Sequence, residues 1–384
     1  MSSLFPTYAR WDLTIEEAEG AWVKDANGKE YLDFVSGIAV CSLGHRFGPV
    51  QKALSEQLEK VWHVSNLFGN QLQEEAASLL TKNSFADAVF FCNSGAEANE
   101  AAIKLAKKHT GKGTVVTFKQ SFHGRTFAAM GATGQEKVRS GFGEMLPSFE
   151  YLPYNDEEAL MELQGDHYAA IMLEVVQGEG GVIPGTAAFL KRVGEACKRL
   201  GCLLIVDEVQ TGIGRTGTLF AHEGLLSPDI ATSAKGLGNG FPVGAMLGTK
   251  ELISSFQAGS HGSTFGGNYL AMAAVKAVLE TVLGDGFLEK VRHMGEYLRR
   301  VLEKELDGHP MLEEIRGRGM MIGIVWKEPA GERIKEMRDN GLLVLPAGEH
   351  VIRLLPPINC TEEECRKAAS IIKKVLGTRS KTMV

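Results

Sequence analysis

One lysine stands among unusually small neighbours, in Ser233-Ala-Lys235-Gly-Leu-Gly-Asn-Gly240. A surface lysine is commonly set among polar, helix-forming residues; small residues instead leave room for something bulky beside the amine. Taken singly, Lys235 also reads as a solvated loop lysine. Shielded from water, it would lose its proton more readily and could form a Schiff base with a carbonyl compound. Asp207 directly follows the apolar run Cys202-Leu-Leu-Ile-Val206, at the tip of a buried strand. A carboxylate there is costly unless paired or hydrogen-bonded. It reads either as a structural ion pair or N-cap, or as the partner of a cationic ring nitrogen. Strand alternation puts Asp207 and Val209 on one face and turns Glu208 away.

Two arginines are also out of place: Arg125 in Phe-His-Gly-Arg-Thr and Arg353 in Val-Ile-Arg-Leu-Leu-Pro-Pro. Arg353 interrupts an apolar strand pattern. Either it lies on an edge strand with a solvated head group, or its planar guanidinium binds a carboxylate through two hydrogen bonds. Glu179, flanked by glycines in Gln177-Gly-Glu-Gly-Gly181, could pair with such an arginine. Ser94-Gly95-Ala96-Glu97 reads as a capping box opening a helix, with Lys104, Lys107, Lys108 and His109 suited to its far end. Gly95 leaves that N-terminus open, so its free N–H groups and the Ser94 hydroxyl could hold a phosphate.

Other strings are set aside. Gly212-Ile-Gly214-Arg-Thr-Gly217 fits G-x-G-x-x-G, but no strand runs straight into it, no clear helix follows, and position 232 is Thr rather than an acid. No Walker-type phosphate loop occurs. The six cysteines contain no C-x-x-C pair and read as buried free thiols. The ten histidines show no metal-ligand spacing, though His123 could line the site. Residues Phe256 to Val275 carry no Asp, Glu, Lys or Arg, but Ser, His, Asn and Gly interrupt them, which is incompatible with a membrane span. The first ten residues lack an apolar segment, so a cytoplasmic location is expected.

These residues need elements to hold them. Apolar runs at Ala88–Cys92, Thr114–Phe118, Ala169–Val176, Cys202–Val206, Asp229–Ala234 and Val243–Gly248 alternate with helical patterns such as Ala96–His109 and Ala188–Leu200. Continuous apolar strands separated by helices predict an α/β body with a mostly parallel sheet covered on both faces. Polar, Gly-rich or ionisable clusters follow five of the runs, beginning at Asn93, Gln120, Gln177, Asp207 and Lys235. In a parallel sheet these carboxyl ends share one edge, where open α/β sheets bind ligands. Past residue 270 a long helical pattern, Leu270–Leu306, leads into the strand-like Arg316-Gly-Arg-Gly-Met-Met-Ile-Gly-Ile-Val, then Leu342–Pro346, Val351–Leu355 and a helix over Thr361–Leu376. This is the texture of a smaller α+β lobe.

At 384 residues, with 41 basic against 47 acidic residues and no basic run, the chain is too long for one ordinary domain and lacks the footprint of a nucleic-acid or membrane-surface binder. Its 45 glycines are well above the average share, and their clusters flank the proposed edge. They predict turns that let the backbone close around a ligand.

Taken together, these strings resemble the class III pyridoxal-phosphate aminotransferases over nearly the whole chain. The likeness is carried by Tyr31-Leu-Asp-Phe, Trp62-His-Val-Ser-Asn, Phe91-Cys-Asn-Ser-Gly-Ala-Glu, Ser121-Phe-His-Gly-Arg-Thr, Val176-Gln-Gly-Glu-Gly-Gly, Val206-Asp-Glu-Val-Gln-Thr-Gly, Ala234-Lys-Gly-Leu-Gly-Asn-Gly, His261-Gly-Ser-Thr-Phe-Gly-Gly-Asn and Arg353-Leu-Leu-Pro-Pro. The resemblance implies a fold-type I transferase. It also implies a large cofactor domain over 49–268, a small domain over 269–384, and an N-terminal segment, 1–48, packed with the small one.

Lys235 would carry pyridoxal 5'-phosphate as an internal aldimine and then shuttle a proton. Asp207 would keep the pyridine nitrogen protonated, with Glu208, Val209 and Gln210 of the same string beside the cofactor. Phe122 would stack on the ring, and Ser94, Gly95 and Ala96 would hold the phosphate. Thr264 would reach that phosphate from the other subunit of a homodimer. Arg125 and Ser263 match substrate contacts, and Arg353, released from Glu179, would take an α-carboxylate. The implied reaction moves the terminal amino group of N2-acetyl-L-ornithine to 2-oxoglutarate. Ile38, where related ornithine enzymes look to have tyrosine, favours the acylated substrate. Succinylornithine, succinyldiaminopimelate, ornithine and 4-aminobutyrate are the alternatives within the family. One departure is Gly44-His-Arg-Phe-Gly-Pro49, where the family often reads Gly-His-x-His-Pro.

Overall fold

All six apolar runs join a single seven-stranded sheet in the computed structural model, which describes residues 3–146 and 148–377. Its order is Ala88–Cys92, Gly244–Gly248, Ile230–Ser233, Leu203–Asp207, Tyr168–Leu173, Thr114–Phe118 and Phe149–Leu152. Every neighbouring pair is parallel except those of Gly244–Gly248, which runs antiparallel to both its neighbours. Two reversals cancel, so Ala88–Cys92 points the same way as the central strands. The five strands that precede the polar clusters therefore end on one edge.

Alternation along the Asp207 strand explains both the two-sided cover and the aim of the carboxylate. Leu204 and Val206 pack with Phe189, Leu190 and Val193 of the helix Ala187–Leu200. Ile205 packs on the other face with Ala101, Ala102 and Leu105 of the helix Gly95–Thr110. Asp207 shares the face of Ile205 and so points at the first turns of that second helix. Both helices have chemical stops: Ser94 and Thr186 accept an N–H at their starts, and Gly111 and Gly201 close them in left-handed conformations.

Several boundaries differ from the sequence expectation. The run Ala169–Val176 splits at Glu174, because its last residues form the hairpin Val176–Gln177 with Ile183–Pro184. The pattern Leu270–Leu306 is two helices, Tyr269–Val282 and Phe287–Glu305, separated where Gly286 turns left-handed. The strand-like segment at Arg316 is a hairpin, Leu312–Arg318 with Met321–Trp326, and the latter pairs antiparallel with Val351–Leu354. Leu342–Pro346 also divides. Leu345–Pro346 pairs with Val351–Leu354, whereas Leu342–Leu343 crosses to lie parallel to Glu30–Asp33 in an N-terminal sheet.

The string Gly212–Gly217, set aside as a nucleotide turn, is a clamp. Arg215 is buried to 1% exposure, and its guanidinium donates to the Met320 carbonyl at 3.1 Å, the Pro356 carbonyl, and Ser42 Oγ at 3.1 Å. It thereby joins the N-terminal segment to both C-terminal strands. Burial without a carboxylate pulls its ionisation down to about 10. Gly214 and Gly217 have positive φ and pack directly on Ile358 and Arg292, so these glycines serve the clamp and not the sheet edge. We expect Arg215→Ala to cost about 3–5 kcal/mol in denaturant unfolding, since it strands two buried carbonyls and opens a cavity. A loss below about 1 kcal/mol would contradict this role.

Candidate active site

At the shared carboxyl edge lies a cavity of about 440 Å³, lined by Ser94, Gly95, Ala96, Phe122, Arg125, Glu179, Asp207, Val209, Gln210 and Lys235 among others. Ten of the residues singled out from sequence thus meet in one space.

Asp207 is 3% exposed, and its charge is met by donors from three elements. Oδ2 accepts from Asn99 Nδ2 at 2.8 Å and bonds His123 Nδ1 at 2.7 Å, while Oδ1 accepts from the Val209 N–H at 3.0 Å. Asn99 sits one turn into the helix opened by Ser94, and its Oδ1 accepts from Thr232 Oγ1 on the adjacent strand. Such a network makes a buried carboxylate tolerable.

Ser94 Oγ accepts from the Glu97 N–H at 3.2 Å, as a capping residue should. The reciprocal half of the expected box is shifted: the Glu97 carboxylate takes the N–H of Asn93 instead of that of Ser94. The first N–H groups of a helix have no intrahelical partner, and Gly95 and Ala96 carry two of them on the cavity wall. A Cβ on Gly95 would meet Val209 Cγ1 at 2.7 Å, so only glycine lets this helix start approach the Asp207 loop so closely. The result is an anion cradle of backbone amides beside a recessed carboxylate and an apolar wall of Phe122 and Val209. Those donors fit a phosphorylated pyridine ring.

Lys235 begins a short 3₁₀ turn with φ of +44°. Among the described residues nothing hydrogen-bonds its Nζ. Burial holds the amine below the ordinary lysine range; Arg353 adds to that, while Glu179 and Asp207 oppose it. Opposite it, Arg353 (2% exposed) donates from Nη1 to Glu179 Oε1 at 2.7 Å and to Gln210 Oε1 at 3.2 Å. Its Nε, also buried, has no partner among the described residues. Burial pushes the Glu179 carboxyl up, but Arg353 more than offsets this, helped by Lys235 and Gln210, and holds it below the carboxylate norm. Gly178 is required here, because a Cβ would lie 2.1 Å from Gln210 Oε1.

Not every expected residue reaches this chain's cavity. Glu208 was grouped with the cofactor contacts on its place in the motif. The structure corrects that: it faces away, bonding His222 at 2.9 Å and Thr211, as strand alternation requires. Ser263 lies one bond behind the wall, accepting from Asn93 Nδ2 at 3.0 Å, and Thr264 is exposed. Ile38 is 40% exposed and does not line the cavity; Val40, two residues on, does. Arg353 acts from behind Glu179 and Gln210.

Three residues of the site escaped the sequence reading or were barely noticed. Asn99 is one. His123 lines the cavity and holds Asp207, leaving its Nε2 buried without a partner among the described residues. Glu174 accepts the Phe122 N–H at 3.0 Å and the Gly178 N–H at 3.2 Å, tying the aromatic wall to the glycine loop. Burial raises its carboxyl to about 7, with Asp207 adding to the rise and His123 opposing it. A charge at the end of an apolar run was its visible signal.

The family model described as Aminotransferase class-III matches residues 6–376. A Bacillus cereus protein named acetylornithine aminotransferase is 57% identical over 384 residues, covering 100% of both chains. A Bacillus subtilis protein of the same name is 57% identical, covering 99% of each. Among solved structures, an N-acetylornithine aminotransferase from Stenotrophomonas maltophilia superposes with TM-score 0.85 at 37% identity, over 96% of this chain and 97% of that one. An ornithine aminotransferase from Toxoplasma gondii, described with partial occupancy of PLP at its active site, gives TM-score 0.91 at 35% identity, over 97% and 92%.

The Lys235 environment makes a pH prediction. A lysine with a lowered pKa is a free amine at lower pH, so its reactivity must level off earlier. In competitive acylation of the ligand-free protein, read by peptide mass spectrometry, Lys235 should reach its plateau at a lower pH than the exposed lysines. A midpoint at or above about 10.4, the value of an unperturbed lysine, would contradict the burial argument.

Proposed function

The chain belongs to the class III aminotransferases, and from that premise we propose that it moves the terminal amino group of N2-acetyl-L-ornithine to 2-oxoglutarate, giving N-acetyl-L-glutamate 5-semialdehyde and L-glutamate. The observation that carries this reading is that Glu179, paired from behind by Arg353, lines the same cavity as Lys235, whose amine has no hydrogen-bond partner among the described residues. The full-length relatives named acetylornithine aminotransferase support the choice of substrate.

Pyridoxal 5'-phosphate, the cofactor of this class, supplies when bound an electron sink for the pair left at carbon on loss of a proton. The residues around it divide the remaining work. Lys235 Nζ would hold the cofactor through its aldehyde carbon and, once displaced, would accept the proton lost from the amine-bearing substrate carbon; its lowered pKa leaves it able to do so. The Asp207 carboxylate, oriented by Asn99 and His123, would pair with the pyridine nitrogen and keep it protonated. The Gly95 and Ala96 amides and Ser94 receive the phosphate at the positive end of their helix. Phe122 would cover one ring face, Val209 bounds the pocket, and Gln210 would hold the ring's phenolic oxygen. Glu208 keeps the Asp207 loop in shape from behind through His222 and Thr211.

One site must accept a terminal amine and then an α-keto acid. A terminal amine has no carboxylate at the reacting carbon, so an uncovered arginine there would be an unpaired buried charge. Glu179 covers Arg353 for the first substrate. The α-carboxylate of 2-oxoglutarate or glutamate displaces it for the second, bonding the planar guanidinium. Arg125, whose guanidinium lies 5.7 Å from the centre of the Phe122 ring, takes the distal carboxylate. Ile38, outside the cavity wall, would favour the acyl group only through the turn that leads to Val40. Thr264, exposed in one chain, reaches the phosphate of a second copy in a homodimer. The division into 1–48, 49–268 and 269–384 suits this scheme, because the cradle lies in the second part and Arg353 in the third. Among the described residues no helix is long and apolar enough to cross a membrane, and the six free thiols suit a cytoplasmic location.

Two measurements test the reading. With 2-oxoglutarate as acceptor, kcat/KM for N2-acetyl-L-ornithine should exceed that for ornithine, N2-succinylornithine and 4-aminobutyrate; a higher value for any of these would reassign the substrate. Glu179→Gln should slow the acetylornithine half-reaction about tenfold or more while leaving the glutamate half-reaction equal or faster, as expected when a buried arginine loses its cover. Two unchanged half-reactions would remove the exchange from the mechanism.

A further inference from the structure

Four consecutive residues between the N-terminal sheet and the cavity are left-handed: Ser36, Gly37, Ile38 and Ala39, with φ of 49°, 65°, 65° and 61°. Only Gly37 adopts this without steric cost, and a β-branched residue such as Ile38 is among the least tolerant of it. Such a turn persists only where its surroundings impose it. Here Ala39 is packed in an apolar cluster with Val176, Met321 and Leu355, and one carboxylate holds the start of the turn. Asp33 Oδ1 accepts the Val35 N–H at 2.9 Å and the Ser36 N–H at 3.0 Å, and Oδ2 bonds His45 Nε2 at 2.8 Å. His45 is held in turn by a two-way backbone bridge with Gly20, at 3.0 and 2.8 Å. The pair is shielded, with Asp33 5% exposed. Its bond to Asp33, with the Cys41 thiol adding, keeps His45 protonated up to about 10, so the ion pair is intact throughout the neutral range.

The turn is stitched to the catalytic elements. The Phe34 carbonyl accepts from the Leu355 N–H, and the Ser42 carbonyl from the Ile358 N–H, both at 2.7 Å, just past Arg353. Asn239, four residues after Lys235, accepts the Leu43 N–H and donates to the Gly44 carbonyl. Between these anchors the turn, with Ala39 packed beneath it, sets where Val40 meets the cavity. An apolar wall accepts a neutral acetamide, but charges a desolvation cost to a free α-ammonium.

We propose that Asp33, clamped by His45, is a positioning residue that sets acyl selectivity by holding the Ser36–Ala39 turn left-handed and so fixing Val40 in the cavity wall. The inference rests on the acetylornithine reading. Failure of that reading appears in the unaltered enzyme's substrate panel, whereas failure of this one appears only in the variants.

The test uses the pyridoxal-phosphate-loaded enzyme and follows the half-reactions with N2-acetyl-L-ornithine, ornithine and glutamate. Asp33→Asn should lower the preference for acetylornithine over ornithine about tenfold, the range one apolar contact controls. The change should lie in KM for acetylornithine, with the glutamate half-reaction within about twofold of the unaltered enzyme. Adding Ser36→Gly, which removes the strain and a buried hydroxyl that has no partner among the described residues, should restore the preference, because glycine enters the left-handed region unaided. His45→Gln, which leaves the backbone bonds to Asp33 in place, should give a smaller shift in the same direction and carries the test if Asp33→Asn does not fold. An unchanged preference, a parallel loss in the glutamate half-reaction, or no rescue by Ser36→Gly would overturn the proposal.

Discussion

A carboxylate nearly sealed from water at the end of a buried strand is the constraint on which this architecture turns. Asp207 can remain charged there only if donors converge on it, and each donor comes from a different part of the chain: Asn99 from a helix, His123 from a loop after a neighbouring strand, Val209 from its own backbone. Convergence of that kind needs strands whose ends coincide, and the parallel sheet supplies it. The arrangement also dictates glycine at Gly95, where the helix start must come within contact of Val209. The sheet edge, the helix cap and the glycine are thus parts of one electrostatic solution.

A second set of charges extends the same logic across the cavity. The charges of Glu179 and Arg353 act on the ionisation of Lys235, those of Arg353 and Lys235 on that of Glu179, and only Glu179 and Arg353 are directly paired. That asymmetry leaves one amine free for chemistry and one arginine available on exchange. Holding the two halves together falls to elements that touch no ligand. Arg215 binds carbonyls of the C-terminal strands from inside the central body, and the N-terminal turn is tied to both Lys235's loop and the segment after Arg353. Positional accuracy at the reacting atoms is worth large factors in rate, so these clamps belong to function as much as to stability.

Much of this was legible before any coordinates. Continuous apolar runs marked six strands, and charges interrupting them marked Asp207 and Arg353, because a buried charge stands out against its neighbours. Asn99 gave no such signal: an uncharged polar residue inside a helix looks ordinary until the helix start is placed beside the sheet edge. Direction along the chain was hidden as well. Nothing in Gly-Ala-Met-Leu-Gly distinguishes an antiparallel strand from its parallel neighbours, since both faces are covered either way. The string around Gly214 misleads for a related reason: glycines that permit close packing on Ile358 look the same as glycines that receive a phosphate. Glu208 shows the opposite error, in which membership of a motif outweighed an alternation argument that had placed it correctly.

The account stands on the claim that the Asp207 network holds a charged carboxylate against the cofactor's ring nitrogen. The ¹⁵N chemical shift of that nitrogen, measured in the enzyme loaded with labelled pyridoxal phosphate, reads its protonation directly. A protonated shift across the neutral range, lost in Asp207→Asn, is the result expected. An unprotonated nitrogen in the unaltered enzyme, or a protonated one that survives the substitution, would contradict it.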